Sequence, residues 1–192
     1  MIGAALARRV RPWLTSRRFA HARGTAGLAA RLARRHGLSP ERASTLGWLH
    51  DVARDLPERE LRSLLRRYRG RHCPAATRSN PRLWHNPAGA YLARRRFGLR
   101  DPLLLRAIAL HSTGAARPTA WDKLIFIADY SEPGRTYPGT AALRRLAEKD
   151  LDAAARRVLQ AKLAYLRKAG LALHPYTRQM ARHYRLPVQS HP

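Results

Sequence analysis

Helix-start punctuation recurs along this chain and constrains its fold more than any other single feature. Ser39-Pro40, Asn86-Pro87 and Asp101-Pro102 each set a capping side chain directly before a proline. Ser, Asn and Asp can accept from the free amides of a first helical turn, and proline at the next position sacrifices no hydrogen bond there. Thr119 with Asp122 three residues later has the form of a capping box. No stretch sustains the period-two alternation of a half-buried strand. We therefore expect an all-α helical bundle forming one domain over residues 1–175, followed by a C-terminal tail over 176–192. A chain of 192 residues is long enough for one sizeable core.

Taken in order, a first helix from Met1 ends near Pro12, and Thr15 or Ser16 caps a second that carries His21, Leu28 and Leu32 on one face. The Ser39-Pro40 helix sets Ala43, Leu46, Gly47 and His50 on one side, where Gly47 leaves room beside His50. Pro57 opens a basic helix reaching Tyr68, and residues 70–84 read as a long polar loop. Helices of about 88–97 and 103–110 follow, with His85 before the first and His111 ending the second. The run from Leu124 to Ala128 is apolar all round, which predicts a central helix with Asp129 at its end. Thr140 and Asp150 are the expected caps of two more helices, and Gly170 closes the last long one. Beyond Leu173 the pattern is weak.

The formal charge is +26, mostly from arginine dispersed along the chain, a composition that a GC-rich coding bias also produces. Such a surface attracts polyanions, with an affinity that falls steeply with salt. The lone Cys73 excludes an internal disulfide and suggests a reducing compartment. No apolar run approaches the roughly 18 residues of a membrane span, and the N-terminus lacks a signal-peptide core. The expectation is a cytoplasmic protein with no membrane partner.

His50 and Asp51 stand side by side in an otherwise apolar helical stretch. An unpartnered buried polar group costs roughly 2–7 kcal/mol, and a charge more, so both need partners or a metal. His21, His85, His111 and Asp129 recur in similar helical settings, with separations of 29, 1, 34, 26 and 18 along the ordered set. Imidazole and carboxylate donors without thiolate suit Fe, Mn, Co or Zn, and six are too many for one catalytic zinc. Two metals fit better, with Asp51 as the natural bridge and water activated for attack on phosphorus.

Six segments now carry a resemblance: Arg18-Phe19-Ala20-His21, Leu49-His50-Asp51-Val52-Ala53, His85 to Leu92, His111-Ser112-Thr113-Gly114, Asp122 to Tyr130, and Glu132-Pro133-Gly134-Arg135. Together they resemble the HD-domain metal-dependent phosphohydrolases and, within them, the YqeK family of symmetrical diadenosine tetraphosphate hydrolases. The resemblance implies an HD-domain helical bundle and a binuclear centre of divalent or mixed-valence ions, iron first and Mn, Co, Zn or Mg as alternatives. It also implies cleavage of the central phosphoanhydride of a dinucleoside polyphosphate to give two ADP. Carried over by position, His21, His50, Asp51 and Asp129 hold one metal and Asp51, His85 and His111 the other, with His50 and Asp51 at the heart of catalysis. Arg18, Arg54, Thr113, Gly114, Lys123 and Arg135 are the expected substrate contacts. Arg54 stands where the family commonly has lysine, and Ala115-Ala116-Arg117 departs from a pattern in which arginine follows Gly114 directly. Tyr137, Trp84 and Trp121 are candidates for stacking on a base. Two other readings compete: an HD phosphohydrolase for another nucleotide or signalling phosphate, and a basic nucleic-acid-binding module whose histidines are structural. A homodimer is compatible with the sequence.

Overall fold

The computed structural model describes residues 2–70 and 72–188, so Met1 and the last four residues, which the sequence reading included in the first helix and the tail, lie outside the described residues. Every regular element among them is helical. The order is α1 (Ile2–Val10), a short 3-10 turn (Arg11–Trp13), α2 (Ser16–Arg35), α3 (Pro40–Leu49), α4 (Glu58–Arg67), α5 (Ala75–Arg78), a second 3-10 turn (Pro81–Leu83), α6 (His85–Arg96), α7 (Pro102–Leu110), α8 (Ala120–Ser131), α9 (Thr140–Ala147), α10 (Leu151–Lys168) and α11 (Pro175–His183). No helix of the described residues is long and apolar enough to cross a membrane.

The caps at Ser39, Asp101 and Asp150 and the capping box of Thr119 and Asp122 form as expected. Asp122 also pairs with Arg106 of α7, so one carboxylate closes the start of α8 and ties it to its neighbour. Two predicted caps do not form. Asn86 is buried inside the first turn of α6, where its Oδ1 accepts from Ser112 Oγ at 3.0 Å, and the helix already starts at His85. Thr140 is the first residue of α9, and the cap position falls to Gly139 at φ +85°, a left-handed conformation that glycine adopts without strain. The expected loop over residues 70–84 instead contains α5 and the second 3-10 turn and buries Thr77 and Cys73.

Helix α8 is the central strut, with Leu124, Ile125, Ile127 and Ala128 fully buried. Helices α2, α3, α7, α9 and α10 pack around it. Helices α2 and α3 approach each other closely: a Cβ placed on Gly47 would sit 2.6 Å from Ala26 N and 3.0 Å from Thr25 C. Gly47 therefore makes room for the α2 backbone, not for His50 as the sequence suggested. Residues 175–183, weakly patterned in sequence, form α11, which buries Thr177, Met180 and Ala181, so packed structure continues past residue 175.

Candidate metal centre

Five elements deliver the four histidines and two aspartates to one place. His21 comes from α2, His50 and Asp51 from the end of α3, His85 from the start of α6, His111 from the end of α7 and Asp129 from the last turn of α8. His50 and Asp51 are not inside a helix, as the sequence suggested. Helix α3 stops at Leu49, and the chain turns over the next residues so that both side chains leave the helix end together.

The Nε2 atoms face carboxylate oxygens. His21 Nε2 lies 3.0 Å and His50 Nε2 3.8 Å from Asp129 Oδ1. His111 Nε2 lies 3.4 Å and His85 Nε2 3.6 Å from Asp51 Oδ1, while His50 Nε2 is 3.8 Å from the other oxygen, Asp51 Oδ2. Ligand atoms of His21, His50 and Asp129 form one compact group, and those of His50, Asp51 and His111 a second.

The ring tautomers are set locally. His50 Nδ1 donates to Gly47 O at 2.7 Å and His111 Nδ1 to Ile108 O at 2.8 Å. A carbonyl only accepts, so each Nδ1 carries a proton, and in the neutral ring it is Nε2 that presents the lone pair. Lone pairs directed at carboxylate oxygens repel unless a cation stands between them, and Asp51 Oδ1 is buried with no hydrogen-bond donor among the described residues. The donor set therefore fits a divalent metal, with N and O ligands and no thiolate.

The electrostatics agree. Burial favours neutral Asp51, but positive charge at His50, a proton donated from His111 and charge at His111 and His85 favour the carboxylate and hold it well below its usual range, a role that a bound cation takes over once the rings are neutral. Burial drives His85 well down and His50 down, against the pull of the carboxylates, which favours the neutral imidazoles that ligate metal. At His21 burial acts downward, but Asp129 and Glu132 prevail and the pKa is raised. Glu132 was not picked out as a ligand or contact by the sequence reading. Its Oε1 lies 3.3 Å from His21 Nδ1, orienting the ring from behind.

The expected substrate contacts divide. Arg18 Nη1 donates to Asp51 Oδ2 at 3.1 Å, and Arg54 Nη1 lies 2.7 Å from His85 Nε2. Arg135 Nη2 is 3.7 Å from Asp129 Oδ1. These three are at the centre. Lys123 is drawn off to α10, where its Nζ donates to Asp152 Oδ2 at 2.6 Å. Thr113 is buried, its hydroxyl donating to Leu110 O, and its carbonyl accepts from Thr177 of α11. Gly114, at φ +75°, presses against Met180. Thr113 and Gly114 thus help seat α11. Arg117 is exposed, and its backbone carbonyl accepts from Arg106 of α7.

A cleft of about 670 Å³ opens beside the cluster, lined by His111 and Asp129 at its floor and by Tyr130, Arg135, Tyr137 and Lys162 on its walls. Tyr137 is half exposed, with the Arg135 guanidinium 5.9 Å from its ring centroid. Trp84 and Trp121 are buried packing residues under Arg62 and Arg42. Lys162 and Tyr130 were missed, and only the position of α10 beside α8 reveals the lysine.

Comparison with known proteins agrees with this geometry. The family model described as the HD domain matches residues 18–134. The symmetrical bis(5'-nucleosyl)-tetraphosphatase of Bacillus subtilis is 36% identical over 169 residues, covering 88% of this chain and 89% of that protein. The enzyme of the same name from Halalkalibacterium halodurans is 33% identical over 168 residues, with the same coverages of 88% and 89%. A crystal structure of a predicted HD superfamily hydrolase involved in NAD metabolism from Clostridium acetobutylicum superposes with a TM-score of 0.86 at 30% identity, covering 94% of this chain and 95% of that one.

Proposed function

The chain belongs to the HD-domain family and, within it, to the symmetrical bis(5'-nucleosyl)-tetraphosphatases, and from that premise we propose that it hydrolyses diadenosine tetraphosphate to two ADP at a binuclear metal centre. The observation that carries the reading is the convergence of four imidazole Nε2 atoms on the oxygens of Asp51 and Asp129, with the tautomers of His50 and His111 already committed. His21, His50, Asp51 and Asp129 would hold one ion, and Asp51, His85 and His111 the other. Iron is the first candidate for both. When bound, such a pair supplies a nucleophile from water at neutral pH and neutralises charge on the phosphate oxygens.

The protein's own contribution is placement. Arg18 and Arg54 sit against the centre and Arg135 beside the cleft, a spread suited to holding a run of phosphates. Tyr137, exposed on the cleft wall next to Arg135, is the best-placed ring for a nucleobase. The P–O bond that breaks is the one whose phosphorus these groups deliver to the centre, with ADP as the leaving group for a middle cut. The +26 surface would draw the anionic substrate in and bind other polyanions non-specifically. A reducing cytoplasm suits the lone, buried Cys73.

Elemental analysis of anaerobically purified protein, paired with chromatography of early products, tests the proposal. Two ions per chain and ADP alone are expected. AMP plus ATP as the dominant products would reject the symmetrical cut, and zero metal after supplementation would reject the centre.

A further inference from the structure

A second groove runs along the other end of α6. Two neighbouring clefts, of about 630 Å³ and about 450 Å³, are both lined by Arg67, Tyr91 and Arg95 where α4 meets α6, the first reaching α7 and the second Trp13. Arg69 and Arg94 add two more guanidinium groups to their walls, and Tyr68 and Trp13 two more half-buried rings. His85 begins α6 and Arg95 lies ten positions on, so at 1.5 Å per residue the groove is about 15 Å along the helix from the metal centre.

The charge there is not balanced. Arg67, Arg69, Arg94 and Arg95 are exposed, and no acidic side chain among the described residues pairs with any of them. Among the described residues, Glu60 is the one acidic residue lining either cleft. Basic residues in the last turns of α4 and α6 complement the helix dipoles, which accounts for each arginine separately. It does not account for their meeting across a concave surface with aromatic rings between them. Guanidinium forks match phosphate oxygens, and recessed rings offer faces to unpaired bases. A duplex hides its base faces, and an acidic peptide has no use for the rings.

We propose that this groove binds single-stranded nucleic acid, the backbone on Arg67, Arg69, Arg94 and Arg95 and a base on Tyr91. The site is independent of the catalytic cleft and of the reaction proposed there.

The test is fluorescence anisotropy with a mixed-sequence single-stranded oligonucleotide of about 12 nucleotides, within the range of known single-strand sites. Four phosphate contacts give a salt slope near −2.8, so affinity should fall about 50-fold from about 50 to about 200 mM salt. The triple variant Arg67→Gln/Arg94→Gln/Arg95→Gln should lose at least about tenfold in affinity, with kcat on diadenosine tetraphosphate unchanged. The matched triple Arg145→Gln/Arg156→Gln/Arg157→Gln removes as much charge from exposed positions on α9 and α10 and should lose less than about threefold. Tyr91→Leu, checked for an unchanged melting temperature, should weaken binding about fivefold or more. Equal losses in the two triples would reduce the binding to diffuse charge and overturn the proposal. So would equally tight binding of poly-glutamate, or displacement of the oligonucleotide by diadenosine tetraphosphate or tripolyphosphate at the concentration of their own binding.

Discussion

Substituting Gly47 by alanine should damage stability and activity together, through one cause. The added Cβ would lie 2.6 Å from Ala26 N and 3.0 Å from Thr25 C, both backbone atoms that no rotamer change can move. Ordinary contact distances between such atoms are about 3.5–4.0 Å, so α2 and α3 must separate by around 1 Å. Overpacking of this kind costs about 1–3 kcal/mol, and a clash with backbone belongs near the upper end. Alanine returns about 1 kcal/mol of helix propensity, leaving a net loss of about 2 kcal/mol. For a domain of this size that is a fall of about 4–8 °C in Tm. The same separation pulls His21 on α2 from His50 at the end of α3, whose Nε2 atoms are 3.3 Å apart. A misplacement of about 1 Å can lower turnover about 100-fold. Differential scanning calorimetry and initial rates on Gly47→Ala, with Gly27→Ala as control, measure both effects. Gly27 is on α2 with nothing within 4 Å of its added Cβ, so the control should be at least as stable as wild type and fully active. A Gly47→Ala protein matching wild type in both Tm and kcat would refute the argument.

Asp51→Ala should abolish turnover and lower metal content, whereas Arg135→Ala should retain metal and lose only part of kcat/KM; activity and metal analysis separate the two. Rising salt should raise KM for diadenosine tetraphosphate more than it lowers kcat, because surface charge steers the substrate while the buried centre is little screened; salt titration of initial rates checks this. In metal-free protein, His50 and His85 have folded pKa values below the unfolded 6.5, so the unfolded chain protonates first. Their contribution is present above about pH 6.5 and is lost as pH falls below it, and chemical denaturation of chelated protein should show that decline. Metal added back at about 100 times its Kd should stabilise by about 2.7 kcal/mol per site, read as a rise in Tm over the chelated form.

What could be read from the sequence was whatever depends on near neighbours. The caps at Ser39 and Asp101 are decided within three residues, and the apolar run before Asp129 is central in the structure as its all-round hydrophobicity implied. The histidines and aspartates were found because so many metal-competent side chains in buried settings lack another use. Other assignments depended on distant partners. Asn86-Pro87 has the form of a cap, but Ser112, 26 positions away, claims the amide. Thr113 and Gly114 follow a ligand closely enough to suggest substrate contact, yet they hold a helix that begins some 60 residues later. Lys123 is turned aside by Asp152, 29 residues on. Glu132 meets His21, and Lys162 lines the cleft, only because α8, α2 and α10 come together, which periodicity does not encode.

His50 and His111 are one device used twice. Each terminates a helix, and each returns its Nδ1 proton to the carbonyl three residues back. Such terminal carbonyls ordinarily lack an intrahelical donor, so each ring is at once the stopper of its own helix and a candidate ligand of the centre. The consequence is that ligand and scaffold cannot be mutated separately at these two positions. An alanine there frees a buried carbonyl as well as a coordination site, and its folding defect should persist in chelated protein, where a residue serving the metal alone would leave no trace.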